Sequence, residues 1–287
     1  MSIDKFKPIV WATKFEKDLE MKLVAYDCTN HQYEGQARQP GDSIKILGLG
    51  EVQTHRWGDG KLHKLPAAQE VSGTSMTMPI NQIEYFRFYV DDLDKRQSAN
   101  GGQVLSEYMQ NAKDKVAEAQ DSHILSLAKD ATVVDTVTIS KSTKSSAQKT
   151  LMKAMDNALL YLLENNVSRD TGIVAITPPK FNVVLKDEYV ELDTDNSAMI
   201  GNGAVGKYSS IGIKESNNVY TQEDDGKNYF YVPVMTKRAI SFVKPYIHLK
   251  AQEPDDYFND EVKGYALFDG MITRPHEIGV IKVEFTA

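Results

Sequence analysis

The sequence predicts an α+β fold in which helices and strands occupy separate stretches of the chain. Three observations support this prediction. Apolar residues recur at steps of three and four between about residues 102 and 129, as on one face of a long helix. Strand-like segments precede and follow this helix, and most of them lie after Gly206. The regular alternation of strand and helix that defines a doubly wound parallel sheet is missing.

Length and composition exclude several classes of protein. The chain has 287 residues, of which 41% are hydrophobic and 25% charged, close to the globular average. Its 33 Lys+Arg and 40 Asp+Glu give a net charge of −7, which argues against a protein whose main role is to grip a phosphate backbone. No stretch approaches the ~18 apolar residues of a membrane-spanning helix. We therefore expect a soluble protein of one large or two modest domains.

The first forty residues predict an extended arm with one short helix at about residues 12–21. After the turn residues at 40–42, Ile44 and Ile46 alternate with polar residues as in a half-buried strand. A matching strand is predicted at Ile80 to Val90, with Phe86 and Phe88 on one face and Tyr85, Arg87 and Tyr89 on the other.

Between these two strands lie about thirty residues that include Trp57 and have too few apolar side chains to form a core. An exposed tryptophan in such a loop is costly unless another surface covers it. We predict that residues 50–80 project from the body and lie on a neighbouring subunit.

The longest predicted element is a helix from about Gly102 to Lys129. At 1.5 Å per residue it is about 40 Å long. His123 lies on its apolar side, and we interpret it as a core histidine with a hydrogen-bond partner. The predicted buried stripe consists of Leu105, Met109, Ala112, Val116, Ala119, His123 and Leu127.

Further along, the pattern predicts a strand at Thr132 to Ser140 and a helix at about Ala147 to Asn165. A short buried strand follows at Gly172 to Ile176. Thr177 is a good N-cap and proline suits the first helical position, so a third helix is predicted to begin there. Four later segments predict strands: YSSIGI, NYFYVPV, YALFDGMI and GVIKVEF.

One string resembles a dinucleotide-binding motif. Residues Gly201 to Gly206 (GNGAVG) fit GxGxxG, but they follow a polar loop and lead into strand-like residues. A dinucleotide site needs a strand before the glycines and a helix that opens on the last of them. A loop whose glycines adopt positive φ angles is the alternative interpretation.

Other candidate sites lack the spacing that their chemistry requires. The pairs Asp193/Asp195 and Asp224/Asp225 lack the calcium-loop arrangement. The single Cys28 predicts a buried small side chain. The histidines His31, His55 and His63 do not form the HExxH pattern of zinc hydrolases. We therefore predict no catalytic, cofactor-binding or metal site, and no enzyme.

The order of the elements is more informative than any motif. An arm, a long two-stranded loop, a very long helix, a mixed domain and closing strands resemble the major capsid protein of tailed double-stranded DNA bacteriophages, which has the Hong Kong 97-like fold. Several strings are similar to segments of that family: IVWATKFEKDLEMKLV (9–24), YEGQARQPGDSIKI (33–46), FYVDDLDKRQS (88–98), GIVAITPPKFNVVLKD (172–187), IGNGAVG (200–206), GIKESNN (212–218) and GYALFDGMITRPHEIGVIKVEF (264–285).

The resemblance implies five segments. They are an N-terminal arm (1–40), an extended loop (41–90), a spine helix with peripheral domain (91–140), an axial domain (141–250) and a return to the peripheral domain (251–287). Because arm-like sequence is reached within ten residues of Met1, we expect a separate scaffolding protein in place of a built-in scaffold.

The function implied is that of a structural subunit that assembles as hexamers and pentamers into an icosahedral phage head around double-stranded DNA. Implied partners are further copies of the chain, scaffolding protein, a portal at one vertex, decoration proteins and, weakly, the packaged DNA, with no membrane. The implied location is the virion, after assembly and procapsid maturation in the host cytoplasm. Two alternatives stay open: the shell of a cellular nanocompartment that encloses a cargo enzyme, and a nucleotide-binding soluble enzyme that uses residues 201–206.

Overall fold

The computed structural model describes residues 23–35, 43–48, 56, 58, 74–91, 103–140, 144–189, 204–224, 226–252 and 259–286. These residues form both helices and sheets, which confirms the predicted α+β class. The helices are α1 (Gln103–Ser126), α2 (Lys144–Glu164) and α3 (Pro179–Tyr189). The strands are β1 (Ser43–Gly48), β2 (Thr74–Pro79), β3 (Gln82–Asp91), β4 (Thr132–Ser140), β5 (Ile173–Thr177), β6 (Ala204–Tyr208), β7 (Ile211–Glu215), β8 (Thr221–Asp224), β9 (Lys227–Thr236), β10 (Ile240–Gln252), β11 (Asn259–Ile272) and β12 (Ile278–Thr286).

The strands form three sheets. Strands β1 and β2 make an antiparallel pair, and β10, β11 and β3 make an antiparallel three-stranded sheet in that order. The third sheet has seven strands in the order β4-β12-β9-β5-β7-β6, with β8 paired to β9. It is mixed, because β12 runs parallel to β4 and β5 runs parallel to β7.

Helix α1 packs on one face of the three-stranded sheet. The predicted stripe is confirmed in part: Met109 is 6% and Val116 is 1% exposed, but the buried face also includes Ile124 and Leu125, which the stripe leaves out. The stripe positions Ala112, Ala119 and Leu127 are partly buried, and the side chain of Leu105 lies outside the described part of the chain. Phe86 and Phe88 of β3 pack against this core, as their alternation along the strand predicts.

A second core lies between the seven-stranded sheet and helices α2 and α3. Its largest contributions come from Leu151 and Met155 of α2 and Phe181 of α3, all fully buried. Gly279 of β12 permits the close approach of α2, because a Cβ at this position would lie 3.2 Å from Tyr161 Cδ1.

Several strand predictions need correction. Strand β1 pairs with β2 and not with the predicted matching strand, which begins at Gln82 as β3 and pairs with β11. The segment YSSIGI is not one strand, because Ser209 has a φ of 53° in the turn that separates β6 from β7. The 13-residue strand β10 was missed altogether. Pro245 lacks a backbone donor and interrupts the pattern, but the register irregularity between Val243 and Tyr246 accommodates it within the strand.

Strand pairing crosses the predicted segment boundaries. Strand β10 lies almost entirely in the predicted axial segment but pairs with β11 in the sheet that contains β3. Strands β4 and β12 lie in predicted peripheral segments but share a sheet with β5, β7 and β9. The five-segment division itself stays a prediction.

Candidate assembly surfaces

The β1–β2 hairpin is anchored on the three-stranded sheet. Ile44, Ile46, Met78 and Ile80 form a small core with Val243 and Leu267 of β10 and β11. Because Met78 is 0% and Ile80 is 1% exposed within a single chain, the prediction that all of residues 50–80 project is wrong for their last residues. Trp57 and most of the loop between Gly48 and Thr74 lie outside the described residues.

The sheet face opposite α1, here called the outer face, exposes large side chains where the hairpin does not cover it. Tyr85 is 79% exposed, Tyr89 71% and Ile83 50%. These positions alternate with Phe86 and Phe88, which point toward α1. The alternation predicted from the sequence therefore separates a buried face from an exposed one.

Cations line up across the outer face. Strand register places Arg87 opposite Lys263, and Lys263 opposite Lys250. Glu261 lies beside them, with its Oε1 atom 2.7 Å from Arg87 Nε and 4.0 Å from Lys263 Nζ. The Arg87 guanidinium lowers the pKa of Glu261, so this carboxylate stays ionised at neutral pH.

One carboxylate connects α1, β11 and the turn between β2 and β3. Asp269 Oδ1 lies 3.0 Å from His123 Nε2, and Asp269 Oδ2 accepts a hydrogen bond of 3.0 Å from the backbone N–H of Asn81. Burial raises the pKa of Asp269, but hydrogen bonds from His123, Asn81 and Gly270 outweigh this effect and lower it overall. His123 is thus a core histidine with a partner, as predicted.

The segment from Leu23 to Asn30 contacts helix α1 and strands β7 and β10. Asp121 of α1 accepts hydrogen bonds from the backbone N–H groups of Val24 (3.1 Å) and Ala25 (3.2 Å). Lys214 Nζ of β7 lies 3.6 Å from Asp27 Oδ2. At its end, the backbone N–H of Asn30 donates to Ile240 O at 2.8 Å. This segment therefore bridges helix α1 and the seven-stranded sheet.

Burial dominates the electrostatics of Asp121. The side chain is 3% exposed, and burial raises its pKa to about 6 in spite of the two backbone hydrogen bonds and the nearby Lys214. Cys28, in the same N-terminal segment, is 1% exposed, as predicted for a small core residue, and burial raises the pKa of its thiol.

The candidate site residues that the structure describes do not come together. His31 stacks on Tyr26 at a ring-centroid distance of 3.9 Å, and Asp224 is exposed at the end of β8. The other candidate residues lie outside the described part of the chain: Asp193, Asp195, His55, His63, Asp225 and Gly201 to Gly203. Within the described ranges, no group of His, Cys, Asp and Glu side chains is arranged to hold a metal ion.

Gly206 lies inside β6, so the described end of the GxGxxG string runs into a strand, as predicted.

None of the described helices has the length and apolar character needed to cross a membrane.

Comparison with known proteins identifies the fold through structure alone. No protein-family model matches the chain, and no protein of curated function matches it in sequence. A structure from Mycobacterium phage Che8 aligns with a TM-score of 0.68 and 21% identity, over 91% of this chain and 91% of that chain. The capsid of Cyanophage P-SCSP1u aligns with a TM-score of 0.63 and 15% identity, over 93% and 86%. A virus-like particle from Pyrococcus furiosus aligns with a TM-score of 0.54 and 12% identity, over 94% and 96%.

These alignments extend over almost the whole length of the chains compared. The chain therefore has the fold of a viral shell protein. More specifically, it has the Hong Kong 97-like capsid fold that the order of its elements suggested.

Proposed function

We propose that this chain is the major capsid protein of a tailed bacteriophage, the structural subunit of an icosahedral head that encloses double-stranded DNA. The observation that supports the proposal best is the whole-length structural match to phage capsids. The phage structures align more closely, at TM-scores of 0.68 and 0.63, than the virus-like particle does at 0.54. This difference favours a phage head over a cellular nanocompartment.

The exposed surface supports self-association. Large aromatic side chains such as Tyr85 and Tyr89 are poorly covered in a single chain, and aromatic residues and arginine are enriched where protein interfaces form. A shell subunit needs such contacts and no chemical step, so its role is structural and not enzymatic.

The proposal includes a division of labour along the chain. Residues 1–40 act as the arm and 41–90 as the extended loop, each binding neighbouring copies. Residues 91–140 and 251–287 form the spine helix and peripheral domain, and 141–250 form the axial domain around the centres of hexamers and pentamers. The mature location is the virion, after assembly in the host cytoplasm.

Further partners belong to the same proposal. A separate scaffolding protein directs curvature, a portal occupies one vertex, and decoration proteins bind the outside of the shell. Contact with packaged DNA is weak and nonspecific, since the net charge of −7 disfavours tight binding to phosphates.

Electron microscopy of the purified protein tests this function directly. The chain, expressed alone and together with a scaffolding protein from the same genome, is expected to form closed shells in at least one of the two preparations. Particles no larger than one subunit in both preparations would contradict the proposal. Calorimetric titration with NAD, ATP and GTP tests the enzyme alternative, and we expect no saturable heat.

A further inference from the structure

The outer face keeps more positive charge than the described part of its own chain neutralises. Arg87, Lys263 and Lys250 lie directly opposite one another on three adjacent strands, which are about 4.8 Å apart. Like charges in such positions destabilise a sheet. Glu261 forms ion pairs with two of these three cations, and within the described chain Lys250 forms none.

The face also presents aromatic rings beside the cations. Tyr85 lies opposite Tyr265, which lies opposite His248, and the rings of Tyr265 and His248 are 5.5 Å apart between centroids. Tyrosine and arginine dominate the binding energy of many protein interfaces. Duplex DNA offers stacked bases whose faces are not available to these rings. The combination therefore favours an acidic protein segment as the occupant.

The same chain carries a segment of that chemistry. Within the described residues strand β8 pairs with β9 alone, and all four of its residues are exposed. Glu223 and Asp224 end β8, opposite Asn228 and Lys227 of β9, so their side chains lie on opposite faces of the hairpin and flank its tip. Asp225 follows them in the sequence. Among the described residues, no cation forms an ion pair with Glu223 or Asp224.

We propose that the β8–β9 hairpin of one copy docks tip-first on the outer face of a second copy, so that Glu223 and Asp224 on either side of the tip approach Lys250 and Lys263. The inference rests on the proposed function, because it assigns one contact within the shell. Two different patches meet, so the contact is head-to-tail. Repeated head-to-tail contacts close into rings when the rotation allows it, as hexamers and pentamers require.

Reciprocal charge reversal tests the contact. The face variant is Lys250→Glu with Lys263→Glu, the hairpin variant is Glu223→Lys with Asp224→Lys, and the combined variant carries all four changes. Each of the first two is expected to raise the subunit concentration needed for half-maximal assembly by about tenfold, and the combined variant to recover most of that loss. Lys129→Glu with Lys207→Glu makes the same charge change at exposed positions elsewhere and is expected to assemble like the wild type. Unchanged thermal melting shows that each variant folds.

Several results would overturn the proposal. The proposal is wrong if the face variant or the hairpin variant assembles like the wild type. It is also wrong if the combined variant assembles worse than both of them. A face variant that assembles normally but no longer retains a short DNA duplex in a gel-shift assay would assign the face to nucleic acid instead.

Disulfide trapping tests the hairpin contact independently of whether closed shells form. A mixture of Glu223→Cys and Lys250→Cys subunits is expected to form a mixed disulfide dimer on mild oxidation, and the buried native Cys28 is expected not to compete. Shells without this cross-link would overturn the contact and leave the proposed function intact. A preparation with neither shells nor cross-link would overturn both.

Discussion

His123 on helix α1 faces Asp269 on β11, with 3.0 Å between His123 Nε2 and Asp269 Oδ1. The same carboxylate accepts backbone hydrogen bonds from Asn81 and Gly270. Because Asn81 lies between β2 and β3, a single buried side chain holds the helix, the central strand of the three-stranded sheet and the base of the extended hairpin in one arrangement. A change at Asp269 should therefore affect both fold stability and hairpin position.

Substituting Asp269→Asn tests this relationship. The amide keeps the size of the side chain, but its NH₂ group faces the N–H of either Asn81 or Gly270, and a donor then faces a donor. We expect a loss of about 1–3 kcal/mol in the free energy of unfolding, measured by chemical denaturation. Asp130→Asn, at an exposed position after α1, serves as the control and should have little effect. An unchanged unfolding midpoint in Asp269→Asn would contradict the proposed role.

Asp121 gives a prediction on pH. Its pKa rises from an unfolded value of 3.8 to about 6 in the folded chain, so between these values the folded state binds more protons than the unfolded state. Its contribution to stability therefore grows as the pH falls from above 6 toward 4. Denaturation of the wild type at pH 8 and pH 5 is expected to show this trend, on the order of 1–3 kcal/mol. The Asp121→Asn side chain cannot ionise. In that variant the free energy of unfolding should therefore gain less between pH 8 and pH 5 than it does in the wild type.

The sequence could predict elements whose pattern is local. Strand β4 coincides with the predicted Thr132 to Ser140 because its β-branched residues form one uninterrupted run. The two faces of β3 follow from simple alternation, which separates Phe86 from Tyr85. In each case a few neighbouring residues contain the whole signal.

Long-range features could not be predicted in this way. The burial of Asp121 depends on backbone donors at Val24 and Ala25, almost a hundred residues away in the chain. The cations of the outer face are neighbours because strand register places Lys250 opposite Lys263. Such features arise from tertiary pairing, which no local period encodes.

Val116 tests the packing of the spine helix. It is 1% exposed within the core between α1 and the three-stranded sheet. Val116→Asp would place an unpaired charge there at a cost of several kcal/mol, so we expect insoluble or unfolded protein. Ser122→Asp places the same charge on the exposed side of the helix and should fold normally. A soluble Val116→Asp protein with the melting temperature of the wild type would show that this face is not buried.

Gly264 tests the close contact between β11 and its two neighbours. A Cβ at this position would lie 2.7 Å from Phe86 Cζ and 2.8 Å from the carbonyl oxygen of His248. The His248 oxygen belongs to the backbone of β10 and cannot move alone, so Gly264→Ala should force the strands apart and cost about 1–3 kcal/mol. Gly212→Ala is the matched control in β7, because the nearest atom to its added Cβ would be Ile173 O at 3.7 Å. Thermal melting should separate the two variants, and equal melting temperatures would contradict the strand spacing.

Deletion of residues 55–72 tests whether the extended loop is an assembly element. The deletion leaves β1 and β2 intact. Ile44 of β1 and Met78 of β2 still pack against Leu267 of β11. Folding should therefore be preserved, and we expect a melting temperature close to that of the wild type. Shell formation should be lost, because the removed segment includes Trp57 and has too few apolar residues for a core of its own, so its binding surface must be elsewhere. Electron microscopy and sedimentation of the deletion variant provide the measurement. Normal shells from this variant would show that residues 55–72 form no contact that closure requires.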